Sequence, residues 1–325
     1  MHMSLLDKLD FINKLELGDI QSVDEMTVVP LIGELRQNVA PPESLQFTRT
    51  TTYGSMEFKN TNRDGPAIIP TNMMVRGKSA QDHAMSGSGV VLAASDRLFQ
   101  NACCVEETQG GLFHGQTVQT DVLPVDLRRA LLDPSRRRSN EYGKLWGSIK
   151  TWLRKFKAFP TAPRAHIREF FDNKDYKEAL EEFAAEFEPV DGQIGALIMF
   201  NGVPVGLEIM PSVEHWQAYW KWLIRGCYGS QLINLKESGE LGASTMILPN
   251  IPENATDQQV KDVLTNFVDN IKMSIAPMLE KIEIDSQTQV DSVGNLKTQL
   301  LRTDSGGGGD LITQDDEPVY LSLIL

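Results

Sequence analysis

The stretch that decides the fold is Ile194-Gly-Ala-Leu-Ile-Met-Phe-Asn-Gly-Val-Pro-Val-Gly-Leu-Glu-Ile-Met210. Its first part, Ile194–Phe200, is a short apolar run of the kind that forms a buried strand. Asn201-Gly202 supplies the positive φ angles that a tight two-residue turn requires, and Val203–Met210 then returns. The stretch therefore predicts a β-hairpin of two antiparallel strands.

Further strands are predicted on both sides of this hairpin. The N-terminal third contains short β-branched runs at Met26–Ile32, Ala67–Ile69 and Gly89–Ala93. The C-terminal part returns to strand at Lys281–Val290, Leu296–Leu301 and Val319–Leu325. Ser305–Asp310, with four successive glycines, is typical of a flexible hairpin loop and lacks the spacing of a phosphate-binding motif.

The middle of the chain has a helical period instead. Apolar residues from Tyr142 to Phe156 recur on one helical face, and a second helix is predicted near Asp175–Phe187. Ser212 is a candidate N-cap for a third helix that carries Trp216 to Cys227. A further amphipathic helix follows Thr256, and the first fifteen residues favour a small helix.

Together these elements predict an α+β fold. We expect a mixed or largely antiparallel sheet, with a strand-rich N-terminal third, a helical middle, and C-terminal strands that return to the sheet. We expect residues 1–325 to form one domain; the alternative is a division into a strand-rich part, 18–125, and a helix-hairpin-helix-strand part, 140–325.

The beginning of the sequence and its cysteines indicate the cytoplasm. The first eighteen residues mix Asp, Glu and Lys with Leu and Ile, whereas a signal peptide needs an uncharged apolar stretch. Three cysteines, two of them adjacent, do not form a disulfide framework. No apolar run is long enough to cross a bilayer, so we expect no membrane contact.

The net charge of −13 is unevenly distributed. Between Arg128 and Arg168 there are twelve basic and two acidic residues, which gives +10 for this basic segment and −23 for the rest of the chain. Such a segment favours a phosphate-bearing small molecule as a partner; the alternative is pairing with acidic residues of the same chain. The pI near 4.9 and the absence of an aromatic-glycine RNA-binding pattern argue against nucleic acid.

Reactive side chains concentrate between Arg76 and His114. The segments Arg76–His83, Met85–Gly89 and Asn101–Glu107 bring Asp, Glu, His and Cys within about forty residues. Glu106 with Asp82 is the simplest candidate for general-base chemistry or for a hard-metal site. Cys104 with His83 or His114 is an alternative nucleophile pair, and the spacing matches no recognised zinc site or cofactor motif.

The motifs of this chain also resemble those of the ARG- and rhodanese-phosphatase-superfamily-associated protein domain family. The resemblance covers nearly the whole chain, and its stretches occur in the expected order: Leu17-Gly-Asp-Ile20, Met26–Leu31, Gln81-Asp-His83, Ser88, Cys104-Val-Glu106, Leu127-Arg128, Trp146, Ile194–Gly202, Gly294, Arg302 and Tyr320–Leu323. His83 stands where the family usually has Arg, Tyr320 stands where it has His, and the Arg-Trp that follows Cys-Val-Glu is missing.

The resemblance implies a role in NAD or ADP-ribose metabolism, as a hydrolase or a binder of an ADP-ribose-like phosphate ligand. Glu106, Asp82, His83 and Cys104 would then be the catalytic residues, and Gln81, Ser88, Arg128 and Arg76 would contact the ligand. The departures from the family pattern favour an alternative: a non-catalytic interaction or counter-defence protein that sequesters a nucleotide signal or a partner protein. No cofactor or metal is indicated, and the oligomeric state is not encoded in these motifs.

Overall fold

A large antiparallel sheet forms the frame of the molecule. The structure is a computed structural model that describes residues 9–35, 38–77, 80–108, 110–115, 118–242, 256, 281–285 and 291–325. Its ten strands follow the order β1-β3-β13-β14-β19-β18-β17-β15, with β2 paired to β3 and β16 paired to β17. Their bounds are β1 Glu16–Leu17, β2 Gln21–Val23, β3 Met26–Ile32, β13 Gln193–Phe200, β14 Val203–Ile209, β15 Ile282–Ile284, β16 Asp291–Val293, β17 Leu296–Thr303, β18 Gly308–Gln314 and β19 Glu317–Ile324.

Three smaller antiparallel sheets contain the remaining described strands, in the orders β10-β5-β4, β11-β8-β7-β12 and β6-β9. Their bounds are β4 Leu45–Arg49, β5 Met56–Asn60, β6 Ala67–Ile69, β7 Met73–Gly77, β8 Ala80–Ala84, β9 Gly89–Val91, β10 Asp96–Phe99, β11 Cys103–Cys104 and β12 Gln119–Val122. Every strand pairing described is antiparallel, so the predicted α+β class with a largely antiparallel sheet is confirmed.

The described helices lie mostly between β12 and β15 in the sequence. They are α1 Val125–Ala130, α2 Pro134–Arg138, α3 Trp146–Leu153, α4 Ile167–Asp172, α5 Lys174–Ala185, α6 Val213–Lys221 and α7 Ser230–Ser238, with short 3₁₀ turns at Asp10–Lys14 and Pro42–Ser44. A π-helical segment, Trp222–Gly229, joins α6 to α7. None of the helices described in this structure has the length and apolar character needed to span a membrane.

The hairpin formed by β13 and β14 has the predicted geometry. All eight residues of β13 are buried. Asn201 and Gly202 have φ angles of 48° and 81°, as the tight turn demands. Ser212 caps α6 by accepting a hydrogen bond from the His215 amide, as its position before the apolar stripe predicts.

Several predicted elements differ in extent, such as the helix predicted from Trp216 to Cys227, which the structure divides into α6 and the π-helical segment. The apolar face from Tyr142 to Phe156 forms the shorter helix α3, although Leu145 and Phe156 on either side of it are buried in the same cluster. The predicted loop Ser305–Asp310 is wrong for its second half, because Gly308–Asp310 belong to β18. At Gly309 an added Cβ would collide with the Ser322 carbonyl of β19, so the glycine permits close strand packing.

The N-terminal and C-terminal halves meet in the large sheet, where β3 lies beside β13. Apolar residues cover both faces of this sheet: one face packs against α6, the π-helical segment and α7, and the other includes Leu9, Ile12 and Ile282. A third cluster joins the four-stranded sheet to α1, α3, α4 and α5. The helix predicted after Thr256 lies outside the described residues.

Candidate functional site

Strand pairing brings two of the predicted site segments together. In the β8–β11 ladder, Cys104 lies opposite His83. The Val105 amide donates to the Asp82 carbonyl at 3.0 Å, and the Asp82 amide donates to Glu106 Oε2 at 3.2 Å. Four residues proposed as catalytic from the sequence are therefore neighbours, because an antiparallel pairing places stretches about twenty residues apart side by side.

Asp82, Glu106 and Arg168 form a group that we call the carboxylate cluster. Arg168, which lies on α4, binds both carboxylates. Its guanidinium donates to Asp82 at 3.0 Å (Nε to Oδ2) and 2.5 Å (Nη2 to Oδ1). Its Nε also lies 3.1 Å from Glu106 Oε1. The guanidinium thus occupies the position between the two carboxylates that a bound cation would otherwise take.

Burial dominates the electrostatics of this cluster. Asp82 is fully buried, and this burial raises its pKa to about 6, although Arg168 opposes the shift. The Glu106 pKa is also raised by burial, again against the attraction of Arg168. A carboxyl pair of this kind can hold a proton near neutral pH, which is the property a general acid or base needs.

His83 and Cys104 are fixed by hydrogen bonds to the backbone. His83 Nδ1 lies 2.7 Å from the Gln81 carbonyl, and its Nε2 accepts a hydrogen bond from the Gly54 amide at 3.2 Å. These bonds require the neutral ring protonated at Nδ1, and burial lowers the His83 pKa to about 4. The Cys104 thiol donates to the Glu106 carbonyl at 2.9 Å, and burial raises its pKa to about 12. This environment disfavours the thiolate that a nucleophile requires.

The proposed ligand contacts Gln81 and Arg76 lie beside the carboxylate cluster. Gln81 Nε2 donates to the carbonyls of Glu106, at 2.6 Å, and Thr108, at 3.1 Å. Arg76 forms ion pairs with Asp121 at 2.8 Å and with Asp172 at 3.2 Å. Both side chains therefore hold neighbouring protein groups in place.

Arg128 lies in the interior, away from any described cavity. Its side chain is 1% exposed and forms an ion pair with the fully buried Glu208 at 2.8 Å. The guanidinium also donates to Cys227 Sγ at 3.2 Å and to Ser322 Oγ at 2.5 Å. These contacts link α1 to β14, β19 and the π-helical segment, so in this structure Arg128 connects layers of the core.

Ser88 lies in a different place, at a cavity of about 380 Å³ that we call the Ser88 cavity. Strands β10, β16 and β17, the turn before β9 and helix α2 surround it. Its lining residues are Met85, Ser86, Gly87, Ser88, Arg97, Leu98, Phe99, Gln100, Asn101, Arg137, Arg138, Asp291, Thr298 and Leu300.

One buried acid organises the wall of this cavity. Asp310 of β18 is fully buried and accepts hydrogen bonds from the Ser88 amide at 2.6 Å and from Thr71 Oγ1 at 3.0 Å. Arg137 of α2 pairs with the same carboxylate at 2.5 Å. Gly87 leaves the room for this guanidinium, since an added Cβ would collide with its Nη2.

Two of the lining residues have hydroxyl groups without a hydrogen-bond partner among the residues that the structure describes. Ser88 Oγ and Thr298 Oγ1 are both buried and have no hydrogen-bond partner in the described part of the chain. Thr298 as a whole is 8% exposed. Buried polar groups without partners are uncommon in native proteins, and at a cavity wall they indicate a position for a ligand or an ordered water.

The charges around the Ser88 cavity favour an anion. Arg97 binds Asp291 through Nη2 at 2.8 and 3.0 Å, and Arg137 binds Asp310. Arg138 donates to the Pro134 carbonyl at 3.1 Å. The lining of the cavity thus carries three guanidinium groups, those of Arg97, Arg137 and Arg138, and one carboxylate, that of Asp291.

Sequence reasoning found Ser88 but missed Arg137, Asp310, Thr298 and Arg97. The glycine-rich turn Met85–Gly89 and the arginine run Arg136–Arg138 were the available signals. Their connection through Asp310 was not visible, because Arg137 and Asp310 are 173 positions apart.

The fold and these two sites define a class of protein: an antiparallel α+β domain with a carboxylate cluster on β8–β11 and a cationic cavity beside its large sheet. The chain belongs to the ARG and Rhodanese-Phosphatase-superfamily-associated Protein domain family, whose sequence model matches residues 14–324. No curated protein and no solved structure gives a significant match to the chain.

Proposed function

We propose that the protein acts in NAD or ADP-ribose metabolism by binding an ADP-ribose-like phosphate ligand in the Ser88 cavity. The observation that carries this proposal is that one cavity combines guanidinium groups with two hydroxyls that have no partner among the described residues. The family resemblance, which implies association with ADP-ribose-processing proteins, supplies the ligand class. The cavity volume of about 380 Å³ lies within the range of small-molecule sites.

The wall groups match the chemistry of a phosphorylated sugar. Ser88 Oγ and Thr298 Oγ1 can each donate to a phosphate oxygen or bond to a ribose hydroxyl. Arg138 is exposed, and its guanidinium can approach a phosphate that enters from solvent. Arg137 is anchored by Asp310, so any of its remaining N–H donors that a ligand uses is already fixed in place and loses little side-chain entropy on binding.

A hydrolase is the second candidate, and the raised pKa of Asp82 favours it. Asp82 and Glu106 would act as the acid–base pair, with His83, Cys104, Gln81 and Arg76 as their neighbours. In this structure Arg168 binds both carboxylates, so catalysis requires that its guanidinium yield to substrate. The same pairing favours the non-catalytic alternative, in which the protein sequesters a nucleotide ligand without turnover.

Calorimetric titration with ADP-ribose, NAD, ADP and inorganic phosphate tests the binding proposal. We expect ADP-ribose to bind and Thr298→Val to weaken its affinity about tenfold, because one ligand hydrogen bond is worth about 1.4 kcal/mol. Ser88→Ala should have a similar effect. Thr313→Val is the matched control, since Thr313 Oγ1 is also buried without a described partner but does not line the cavity.

Two results would contradict the proposal. If none of the four compounds binds, the proposed ligand class is wrong. If Thr298→Val, Thr313→Val and the unmodified protein bind with equal affinity, the Ser88 cavity is not the binding site. Product analysis by chromatography then separates the two candidates. Turnover that is lost in Glu106→Gln with binding intact identifies a hydrolase, whereas binding without turnover identifies a sequestering protein.

A further inference from the structure

A second cavity is lined by a different residue of helix α2 from those that line the Ser88 cavity. Its volume is about 620 Å³. It is formed by α1, α2 and α3, and its lining residues are Asp126, Leu127, Arg136, Lys144, Gly147, Ser148, Thr151, Trp152 and Lys155. We call it the α1–α3 cavity. Consecutive residues of α2 thus serve different cavities: Arg136 lines this one and Arg137 lines the other.

Arg136 differs from three other arginines of the basic segment in the groups that it contacts. Arg128, Arg137 and Arg168 are each paired with buried carboxylates. Arg136 instead donates through Nη1 to Ser148 Oγ at 3.1 Å and to the Ala130 carbonyl at 3.4 Å. It forms no ion pair with any carboxylate of the described residues. Its guanidinium is therefore not held by a carboxylate of the described residues, and it can bind an oxyanion.

Two more cations contribute to the α1–α3 cavity in different ways. Lys144 uses its ammonium to hold backbone carbonyls of Asn101, Ser139 and Arg137 at 2.5, 2.7 and 3.4 Å, so it adds charge but is saturated as a donor. Lys155 lies 2.7 Å from Glu240 and 3.5 Å from Asp126. The wall itself carries three cations and one carboxylate, Asp126.

Trp152 supplies an independent indication of a ligand. Its side chain is 1% exposed and lines the cavity. Its Nε1–H has no hydrogen-bond acceptor among the residues that the structure describes. An indole N–H is a donor only, so an acceptor oxygen supplied by a ligand would satisfy it.

We propose that the α1–α3 cavity is a second anion-binding site, which takes a phosphate group through Arg136, Lys155 and the Trp152 indole. Ser148 Oγ accepts a hydrogen bond from Arg136, and a serine hydroxyl can donate its own proton to the same anion. Because the cavity is larger than a single phosphate needs, the group it accepts is the phosphate of a larger ester, such as a sugar phosphate. This site is distinct from the Ser88 cavity and does not depend on the function proposed for it.

Indole resonances of the ¹⁵N-labelled protein provide the test. Inorganic phosphate and ribose 5-phosphate are titrated separately, with sodium chloride of matched ionic strength as a control. We expect the Trp152 Nε1–H resonance, assigned with Trp152→Phe, to shift saturably, with ribose 5-phosphate binding more tightly. Trp216 is the internal control, since its Nε1 is also buried without a described partner but lies outside the cavity.

Variants distinguish the two cavities. Arg136→Gln should weaken the Trp152 response at least tenfold and Lys155→Gln should weaken it less, whereas Thr298→Val should leave it unchanged. A Trp152 resonance that does not move with either phosphate compound overturns the proposal. So does a response that chloride reproduces, or one that persists unchanged in Arg136→Gln. If inorganic phosphate binds as tightly as ribose 5-phosphate, the site recognises the anion alone and the proposed ester ligand is wrong.

Discussion

Asp82 is the residue whose protonation affects both the folding stability of the protein and the acid–base properties of the carboxylate cluster. Burial raises its folded-state pKa from 3.8 to about 6, so the native protein retains a proton that the unfolded chain releases. This retention favours the folded state fully below about pH 4, and the contribution is lost as the pH rises through about 6. His83 acts in the opposite direction. Its pKa is lowered from 6.5 to about 4, so its contribution is present above pH 6.5 and is lost as the pH falls toward 4.

Asp82→Asn should remove the contribution of Asp82 to the pH dependence of folding stability and leave that of His83. We expect the free energy of unfolding of this variant, relative to the unmodified protein, to increase by about 2 kcal/mol between pH 4 and pH 6, which is most of the effect of a shift of about two pKa units. Urea unfolding at pH 4, 5 and 6 measures it.

Glu107→Gln is a control, because its stability relative to the unmodified protein should change with pH in the opposite direction. Hydrogen bonding to Lys150 lowers the Glu107 pKa, so this variant should lose relative stability as the pH rises through 4.5. A difference between Asp82→Asn and the unmodified protein that does not change with pH would contradict the assignment of Asp82 as a buried proton-holding group.

At the scale of elements, the turn Met85–Gly89 and helix α2 form one unit through Gly87 and Arg137. Gly87→Ala should displace the Arg137 guanidinium from the buried Asp310 carboxylate, because the added Cβ would occupy its place. A buried carboxylate without its partner is strongly destabilising. We expect the free energy of unfolding to fall by about 3 kcal/mol and ADP-ribose binding to be lost.

Gly110→Ala is the matched control for this substitution. The nearest atoms to an added Cβ there lie at 3.5 Å, which is ordinary contact. Its stability, measured by urea unfolding, should remain within about 0.5 kcal/mol of the unmodified protein. If Gly87→Ala is as stable as Gly110→Ala, the close approach of Arg137 to the turn does not contribute to the stability of the fold.

Local patterns were sufficient for elements whose causes are local. The Asn201-Gly202 turn, the Ser212 cap and the β-branched run Met26–Ile32 all occur as predicted. The loop prediction for Ser305–Asp310 failed because glycine permits both flexible loops and close strand packing, and the partner strand decides between them. The neighbours of Asp82 followed from strand pairing, but Arg168, 86 positions away, had no local signal.

At the scale of the whole molecule, the basic segment is largely matched by acidic residues from other parts of the chain. Arg128 pairs with Glu208, Arg137 with Asp310 and Arg168 with Asp82. Intramolecular pairing, the second interpretation of the charge pattern, therefore explains these three arginines. Phosphate binding remains a proposal for the groups that border the two cavities.

The Arg128–Glu208 pair should be the most costly of these to break. Arg128→Met leaves a fully buried carboxylate with the Tyr228 hydroxyl, at 2.7 Å, and without its cation. We expect a loss of about 3–5 kcal/mol in the free energy of unfolding, measured with urea. The double variant Arg128→Met/Glu208→Met should recover most of this loss, because no unpaired charge remains.

Lys174→Met serves as the control, since Lys174 and Glu178 form an exposed pair at 3.9 Å. Its effect should be below about 1 kcal/mol. Equal losses for Arg128→Met and for the double variant would show that packing, and not the buried charge, determines the stability of this region.

A crystal structure of the protein grown with ADP-ribose tests the central claim most directly. We predict density for the ligand in the Ser88 cavity, with a phosphate or ribose oxygen within hydrogen-bond distance of both Ser88 Oγ and Thr298 Oγ1 and a phosphate beside the Arg138 guanidinium. Ligand density that leaves the Ser88 cavity empty, or lies instead against Asp82 and Glu106, would contradict it.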